Sequence, residues 1–242
     1  DSYYHDNPRE KKKLSQEKEF RQIKNAVIQE AERIRLEEIT FEDADLSDHD
    51  EPEQVRGESD ACWELRQIIR DESFPLADRD GAADELERLA ERGDAYARFL
   101  MGQLYRDGPL LIPDSQKAKD WFTQAAEHGL PEAQYALGKL LLSDDPEVRD
   151  PDEGIRWLRQ AARNGNSYAA YRLGKEYLTG EAVTKDTAKA VEWFSQSAEA
   201  GNQYAQYMLG KLYLTGQGVT HNQTQAMVWF SRSAAQGNQY AQ

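Results

Sequence analysis

Among its 242 residues the chain has one cysteine, Cys62, so it can form neither an intramolecular disulfide nor a cysteine metal cluster. It also lacks a long hydrophobic run. Its apolar stretches extend only a few residues, far short of the roughly 20 that cross a bilayer. Basic residues are in deficit, with 30 Lys plus Arg against 44 Asp plus Glu and a formal net charge of −14. A nucleic-acid groove needs a basic stripe that releases counterions, and an anionic membrane surface asks for the same sign, so neither is the expected partner. Histidine is scarce: His5, His49, His128 and His221 stand at no ligand spacing and in no catalytic context. The carboxylates Asp144, Asp145, Asp150, Asp152 and Glu153 lack the tight glycine turn of a calcium loop, and helix capping accounts for them better. No catalytic residue, metal or cofactor is expected in this chain, and a cytoplasmic location goes with that composition. The modest hydrophobic fraction of 39% beside 31% charged residues suits a thin layered structure more than one thick core.

What the chain does have is a ruler. Glycines stand at 93, 129, 165, 201 and 237, tryptophans at 121, 157, 193 and 229, and alanines at 61, 97, 133, 169, 205 and 241. Three residue types keep one 36-residue period without insertion, so the chain is an array of structural repeats.

Each unit splits into two helical patterns. In the unit that starts at Asn166, Ala169, Leu173 and Tyr177 recur at the spacing that lines one helical face. After a loop at 179–184, a second helix is expected from about Thr187 to Ala200, with Ala190, Trp193, Ser197 and Ala198 facing inward. Positions 78, 114, 150, 186 and 222 hold Asp, Asp, Asp, Asp and Asn, all strong N-cap types. Pro151 suits a first helical position. The glycine column closes the second helix, where a left-handed residue is wanted, and Asp94, Asn166, Asn202 and Asn238 cap the helix that follows. Gly102, Gly138, Gly174 and Gly210 fall in mid-helix, where glycine costs about 1 kcal/mol relative to alanine. That cost, repeated in register, points to close helix approach, with the tryptophan column expected to fill the space between the two helices of a unit.

The pattern Ala169-x-x-x-Leu173-Gly174-x-x-Tyr177-x-x-Gly180, then Lys189-Ala190-x-x-Trp193 and Ala198-x-x-Gly201, resembles the Sel1-like repeat, a longer relative of the tetratricopeptide repeat. The resemblance implies an all-α, right-handed α/α solenoid and a role in assembling protein complexes. It covers units at 94–129, 130–165, 166–201 and 202–237, with another starting at 238. Residues 61–93 are read as a degenerate capping unit, in which Arg66 takes the place of the packing glycine and Glu85 that of the tryptophan. The unit at 130–165 departs at Leu141 and Asp144, so its loop is expected to be the least regular. Cysteine-rich members of this family, linked to penicillin binding or β-lactam hydrolysis, use paired cysteines that this chain does not have.

Residues 1–38 contain a charged helix at 9–38, with a narrow stripe of Leu14, Phe20, Ile23, Val27, Ala31 and Ile34. Residues 39–60 form an acidic linker, with nine carboxylates against one arginine between Thr40 and Asp60, expected to be mobile. The helix with Ile23-Lys24-Asn25 and Val27-Ile28, then Phe41-Glu42-Asp43 in an acidic linker ahead of the repeats, is similar to the C-terminal region of mobilisation relaxases of gut Firmicutes. A relaxase needs a tyrosine nucleophile and a histidine metal cluster. Neither constellation is here, so that resemblance places the nuclease ahead of Asp1, and the chain reads as a fragment whose repeat pattern runs on past Gln242.

By analogy with tetratricopeptide repeats, certain positions of the first helix face a concave groove. One such column is Trp63, Phe99, Tyr135, Tyr171 and Tyr207, and a second is Gln67, Gln103, Lys139, Lys175 and Lys211. A third holds Tyr96, Glu132, Tyr168 and Tyr204, with Leu142, Leu178 and Leu214 along one edge. The expected partner is another protein, offered as a peptide or helix with acidic residues. The same columns also fit a plainer role, with aromatics packing between neighbouring helices and lysines keeping the surface soluble.

Overall fold

The computed structural model describes residues 59–238. The helix expected at 9–38 and the acidic linker up to residue 58 lie outside the described residues. Ten helices and no strand occur within them. They are α1 (Asp60–Arg70), α2 (Leu76–Glu91), α3 (Ala95–Asp107), α4 (Ser115–Glu127), α5 (Pro131–Leu141), α6 (Pro151–Arg163), α7 (Ser167–Thr179), α8 (Thr187–Glu199), α9 (Gln203–Thr215) and α10 (Gln223–Ala235). Each packs on the next in chain order, giving an α/α solenoid in which odd-numbered (A) and even-numbered (B) helices alternate. None is long and apolar enough to cross a membrane.

Local chemistry sets the helix ends. The side-chain oxygens of Asp114, Asp150, Asp186 and Asn222 accept the backbone N–H of Lys117, Glu153, Lys189 and Gln225 at 2.9, 3.0, 3.0 and 3.1 Å. Each thereby satisfies a donor that the first helical turn leaves open. Asp94, Asn166 and Asn202 do the same for Ala97, Ala169 and Ala205. Asp78 does not. Pro75, with φ −54°, starts α2 three residues earlier, and Asp78 falls in its first turn. The glycines at 93, 129, 165, 201 and 237 take φ between +86° and +103°, a conformation that a Cβ disfavours.

The core forms where A and B helices of one unit meet. A Cβ on Gly102, Gly174 or Gly210 would lie 2.5–2.6 Å from the ring of Phe122, Phe194 or Phe230. The phenylalanines, one residue after Trp121, Trp193 and Trp229, therefore fill the space expected for tryptophan. Phe122 and Phe194 are completely buried, while Trp121, Trp157 and Trp193 are half-buried and only flank the core. Helical geometry explains the exchange, since a one-residue step rotates a side chain by about 100°. The unit at 130–165 solves the same problem differently. Leu158 replaces the phenylalanine, and Gly154 stands where the other units have Ala118, Ala190 and Ala226. A methyl at 154 would come within 3.1 Å of the Gly138 carbonyl oxygen and 3.0 Å of Leu142, so the smaller leucine goes with a closer helix approach.

Neighbouring units are tied by polar side chains at the B-helix C-termini, where carbonyls lack helical partners. Gln134 Nε2 donates to the Ala126 carbonyl at 3.1 Å, and its Oε1 accepts from Asn164 at 2.9 Å. Gln206 repeats this with Ala198 and Gln236, and Arg98 Nε donates to Ala90. In the remaining unit the position is Ala170, too short to reach, and Gln196 of α8 donates to the Ala162 carbonyl instead, at 3.1 Å. The loop after α5 is irregular, as its Asp144 suggests. α5 has 11 residues where α3, α7 and α9 have 13. Arg149 Nη1 holds the turn by donating to the Leu142 and Ser143 carbonyls at 3.2 and 2.7 Å.

Replacing Gly174 by alanine should lower unfolding free energy by about 1–3 kcal/mol through overpacking, despite alanine's better helix propensity. Adding Phe194→Leu should recover part of that loss. Urea denaturation of the three proteins checks this, and a Gly174→Ala chain as stable as the parent would show that no close approach constrains the position.

Candidate functional site

The three columns that the sequence singles out lie on successive A helices. Tyr135 and Tyr168 have ring centroids 6.3 Å apart, and Tyr171 and Tyr204 are 6.1 Å apart. Each pair spans two units, so the first column of one unit meets the third column of the next. Within a unit the rings rest on the core phenylalanines, with Tyr171–Phe194 and Tyr207–Phe230 both at 5.7 Å and Phe99–Phe122 at 5.9 Å. The tyrosines are therefore packing residues and surface residues at once. Tyr135, Tyr168, Tyr171, Tyr204 and Tyr207 are half-buried.

The columns are uneven along the chain. In α3, Tyr96, Phe99 and Gln103 are buried, at 5%, 3% and 8% exposure. In α5, α7 and α9 the second column carries Lys139, Lys175 and Lys211, all half-buried. Each lysine stands one helical turn after a first-column tyrosine, on the same face. Lys211 Nζ lies 5.5 Å from the centroid of the Tyr207 ring, within cation–π range. Glu132 takes the third-column place of Tyr168 and Tyr204 and is half-buried. Leu142, Leu178 and Leu214 are buried at the edge, at 8%, 5% and 6%.

One feature of α7 escaped the column reading. Glu176, only 3% exposed, accepts a 2.9 Å ion-paired hydrogen bond from Arg172 Nε. The matching pairs in the other units are Leu100 with Leu104, Ala136 with Leu140, and Met208 with Leu212, all buried. Charged residues in otherwise apolar columns were the available signal, hidden because Arg and Glu four apart also read as an ordinary surface pair. Nearby, Arg159 of α6 donates to the Tyr177 hydroxyl at 2.8 Å. Among the described residues no group of three or more His, Cys, Asp or Glu side chains is arranged to hold a metal ion. His128 closes α4, its Nδ1 2.8 Å from the Gln124 carbonyl oxygen and 3.3 Å from Arg98 Nη1.

The Sel1 repeat family matches at residues 95–130, 131–166, 167–202 and 203–238, together more than half of the chain. A family of MobL relaxases matches residues 1–81. Among curated proteins none matches. Among solved structures, a protective antigen of uropathogenic Escherichia coli with an SLR fold is 30% identical at a TM-score of 0.68, over 75% of this chain and 38% of that one. A Sel1 repeat protein from Oxalobacter formigenes is 27% identical at a TM-score of 0.65, over 75% of both chains. An immunity protein from Pseudomonas aeruginosa shares the fold at 24% identity and a TM-score of 0.51, over 75% of this chain and 66% of its own.

The Arg172–Glu176 pair makes a stability prediction. Arg172→Met with Glu176→Leu, the residues of the following unit, should leave stability unchanged or raise it by about 1–4 kcal/mol. Arg172→Met alone should cost about 2 kcal/mol or more by leaving the buried carboxylate without its cation. Chemical denaturation separates the cases, and equal losses in both variants would contradict it.

Proposed function

The chain belongs to the Sel1 repeat family, and we propose that its solenoid is a non-catalytic interaction scaffold that holds a peptide or helix of another protein along the concave groove lined by its A helices. Members of this family are typically protein-interaction scaffolds, which supports the coarse reading. The observation that carries the finer one is the pairing of half-buried tyrosines between units, Tyr135 with Tyr168 and Tyr171 with Tyr204, on the helices that carry Lys139, Lys175 and Lys211. Tyrosine offers a large amphipathic contact area at low entropy cost. Here the rings are also held by Phe194 and Phe230, so a ligand meets them already ordered, which reduces the entropic cost of binding. Packing and binding are thus compatible uses of the same rings. A cytoplasmic site of action goes with this reading.

The match of residues 1–81 to MobL relaxases favours a second reading. In it the solenoid is the accessory C-terminal region of a mobilisation nuclease and recruits other DNA-transfer proteins, with catalysis supplied by a domain ahead of Asp1. The two readings share one surface and differ in what it serves.

Capture from lysate with the intact chain, followed by mass spectrometry, tests the groove. A Tyr171→Ala, Lys175→Glu, Tyr207→Ala variant of unchanged helicity should lose the captured protein, whereas Arg156→Glu with Arg163→Glu on α6 should keep it. Equal retention by both variants would move the binding surface off the A helices.

A further inference from the structure

The loops that lead from A to B helices form one edge of the solenoid, and this edge carries an apolar patch. Successive units bring the loops together. A hydrogen bond from Ser115, the first residue of α4, holds the Asp145 carboxyl of the following loop below its ordinary range. A Cβ on Gly218 would lie 2.6 Å from the Thr187 carbonyl oxygen at the start of α8. Both contacts join the loop of one unit to the first turn of the preceding B helix, and the same 36-residue register sets Pro109 and Leu110 beside Arg79 of α2. The loops at 71–75, 108–114 and 142–150 are therefore neighbours along the edge. Leu76 and Ile112 stand one period apart on it, 62% and 88% exposed, and Phe74 is 40% exposed. Later members of the Leu76 column are the buried Val148 and the exposed Thr184 and Thr220, so exposed aliphatic side chains in this column belong to the first two units. Among the described residues the other exposed large hydrophobics are Met227 and Val228, on α10. Apolar side chains gathered on adjoining loops and rimmed by charge mark an interaction surface, where scattered ones do not.

Acidic residues border the patch on both sides. Asp71, Glu72, Asp78 and Asp80 surround Phe74 and Leu76 in sequence. The cation among them, Arg79, donates its Nε to the Ile69 carbonyl at 3.0 Å. On the loop that follows Ile112 stand Asp144, Asp145 and Glu147, with Arg149 3.5 Å from Asp144. Hydrogen bonds from Ser73 hold Asp71 below the ordinary carboxylate range, as Ser115 does for Asp145, so each flank has a carboxylate that resists protonation. An apolar centre between acidic flanks repels anionic lipid and nucleic acid and attracts a basic partner. We infer that this edge binds a segment of another protein in which aliphatic side chains are flanked on both sides by lysines or arginines. Its aliphatic centre covers Phe74, Leu76 and Ile112, and its cations face the acidic residues of 71–80 and 144–147. The surface is separate from the groove, lies on loops instead of A-helix faces, and selects a partner by the opposite charge.

Fluorescence anisotropy of labelled peptides with the full chain tests this. The probes are Lys-Arg-Leu-Ser-Ile-Ser-Leu-Arg-Lys, the same peptide with serine for leucine and isoleucine, and the same with glutamate for lysine and arginine. The first should bind at least about tenfold more tightly than the others and weaken as salt screens its charges. Phe74→Ser, Leu76→Ser and Ile112→Ser together should remove that advantage at unchanged helicity, because all three side chains are exposed. Met227→Ser with Val228→Ser should leave it intact. Glu72→Lys, Asp78→Lys, Asp144→Lys and Glu147→Lys together should abolish binding of the basic peptide and create binding of the acidic one, a gain that misfolding cannot produce. Equal binding of the two basic peptides, or equal losses in the two serine variants, would overturn the apolar patch as the site. An undiminished affinity in the lysine variant would overturn the acidic flanks, and no preference for the first peptide in the parent chain would overturn the inference as a whole. A dimer in sedimentation that the three serine changes convert to monomer would assign the edge to a second copy. Peptide binding that begins only when Lys11, Lys12 and Lys13 are changed to serine would assign it to the chain's own segment, and either result would overturn an external partner. The Tyr171→Ala, Lys175→Glu, Tyr207→Ala variant should bind the first peptide as the parent does, so this inference and the groove reading fail separately.

Discussion

The contact between a mid-helix glycine on each A helix and a large side chain on its B helix governs the spacing of everything else. Glycine in a helix is unfavourable by about 1 kcal/mol, and full burial of a phenylalanine side chain returns about 1.5–3 kcal/mol. The exchange is favourable only because the ring of Phe122 or Phe194 occupies the place of the missing methyl. Where the ring is replaced by Leu158, Gly154 lets the helices close the gap. The two solutions show that the quantity being conserved is tight packing between the helices, and that more than one pair of side chains can supply it.

Stacking of units depends on that spacing. The carbonyl ends of the B helices fall within reach of side chains from the following unit, so Gln134, Gln206 and Arg98 can each cap one. Gln196 supplies the bond where Ala170 cannot, which keeps a carbonyl at the junction satisfied. Among the described residues each unit packs on the next in chain order, and the array is cohesive because every junction carries both an alanine-lined apolar contact and a polar link.

The same arithmetic places the tyrosines. Because each A helix is held against its own B helix and against the unit before it, the first-column ring of one unit lies beside the third-column ring of the next. From α5 to α9 the junctions are thus aromatic and backed by the core, with Lys139, Lys175 and Lys211 one turn further along the A helices. Ordering of these side chains is a consequence of folding.

The 36-residue period, the helix caps other than Asp78, the left-handed glycines and the family were legible in the residues themselves, because each depends on local backbone chemistry or on spacing along one chain. Asp114, Asp186 and Gly201 could be assigned in isolation for that reason. Which large residue fills the interior was not legible. Trp193 and Phe194 are adjacent and both apolar, and only the rotation of α8 against α7 turns the phenylalanine inward. The pairing of Tyr171 with Tyr204, the exchange of Ala170 for Gln196 at a junction, and the burial of Glu176 in a leucine column likewise depend on where the neighbouring helix lies. Residue type and spacing determined that this chain builds a repeat solenoid. The packing of one helix on the next decided which side chains became core, clamp or surface, since those roles depend on contacts between helices that no local pattern encodes.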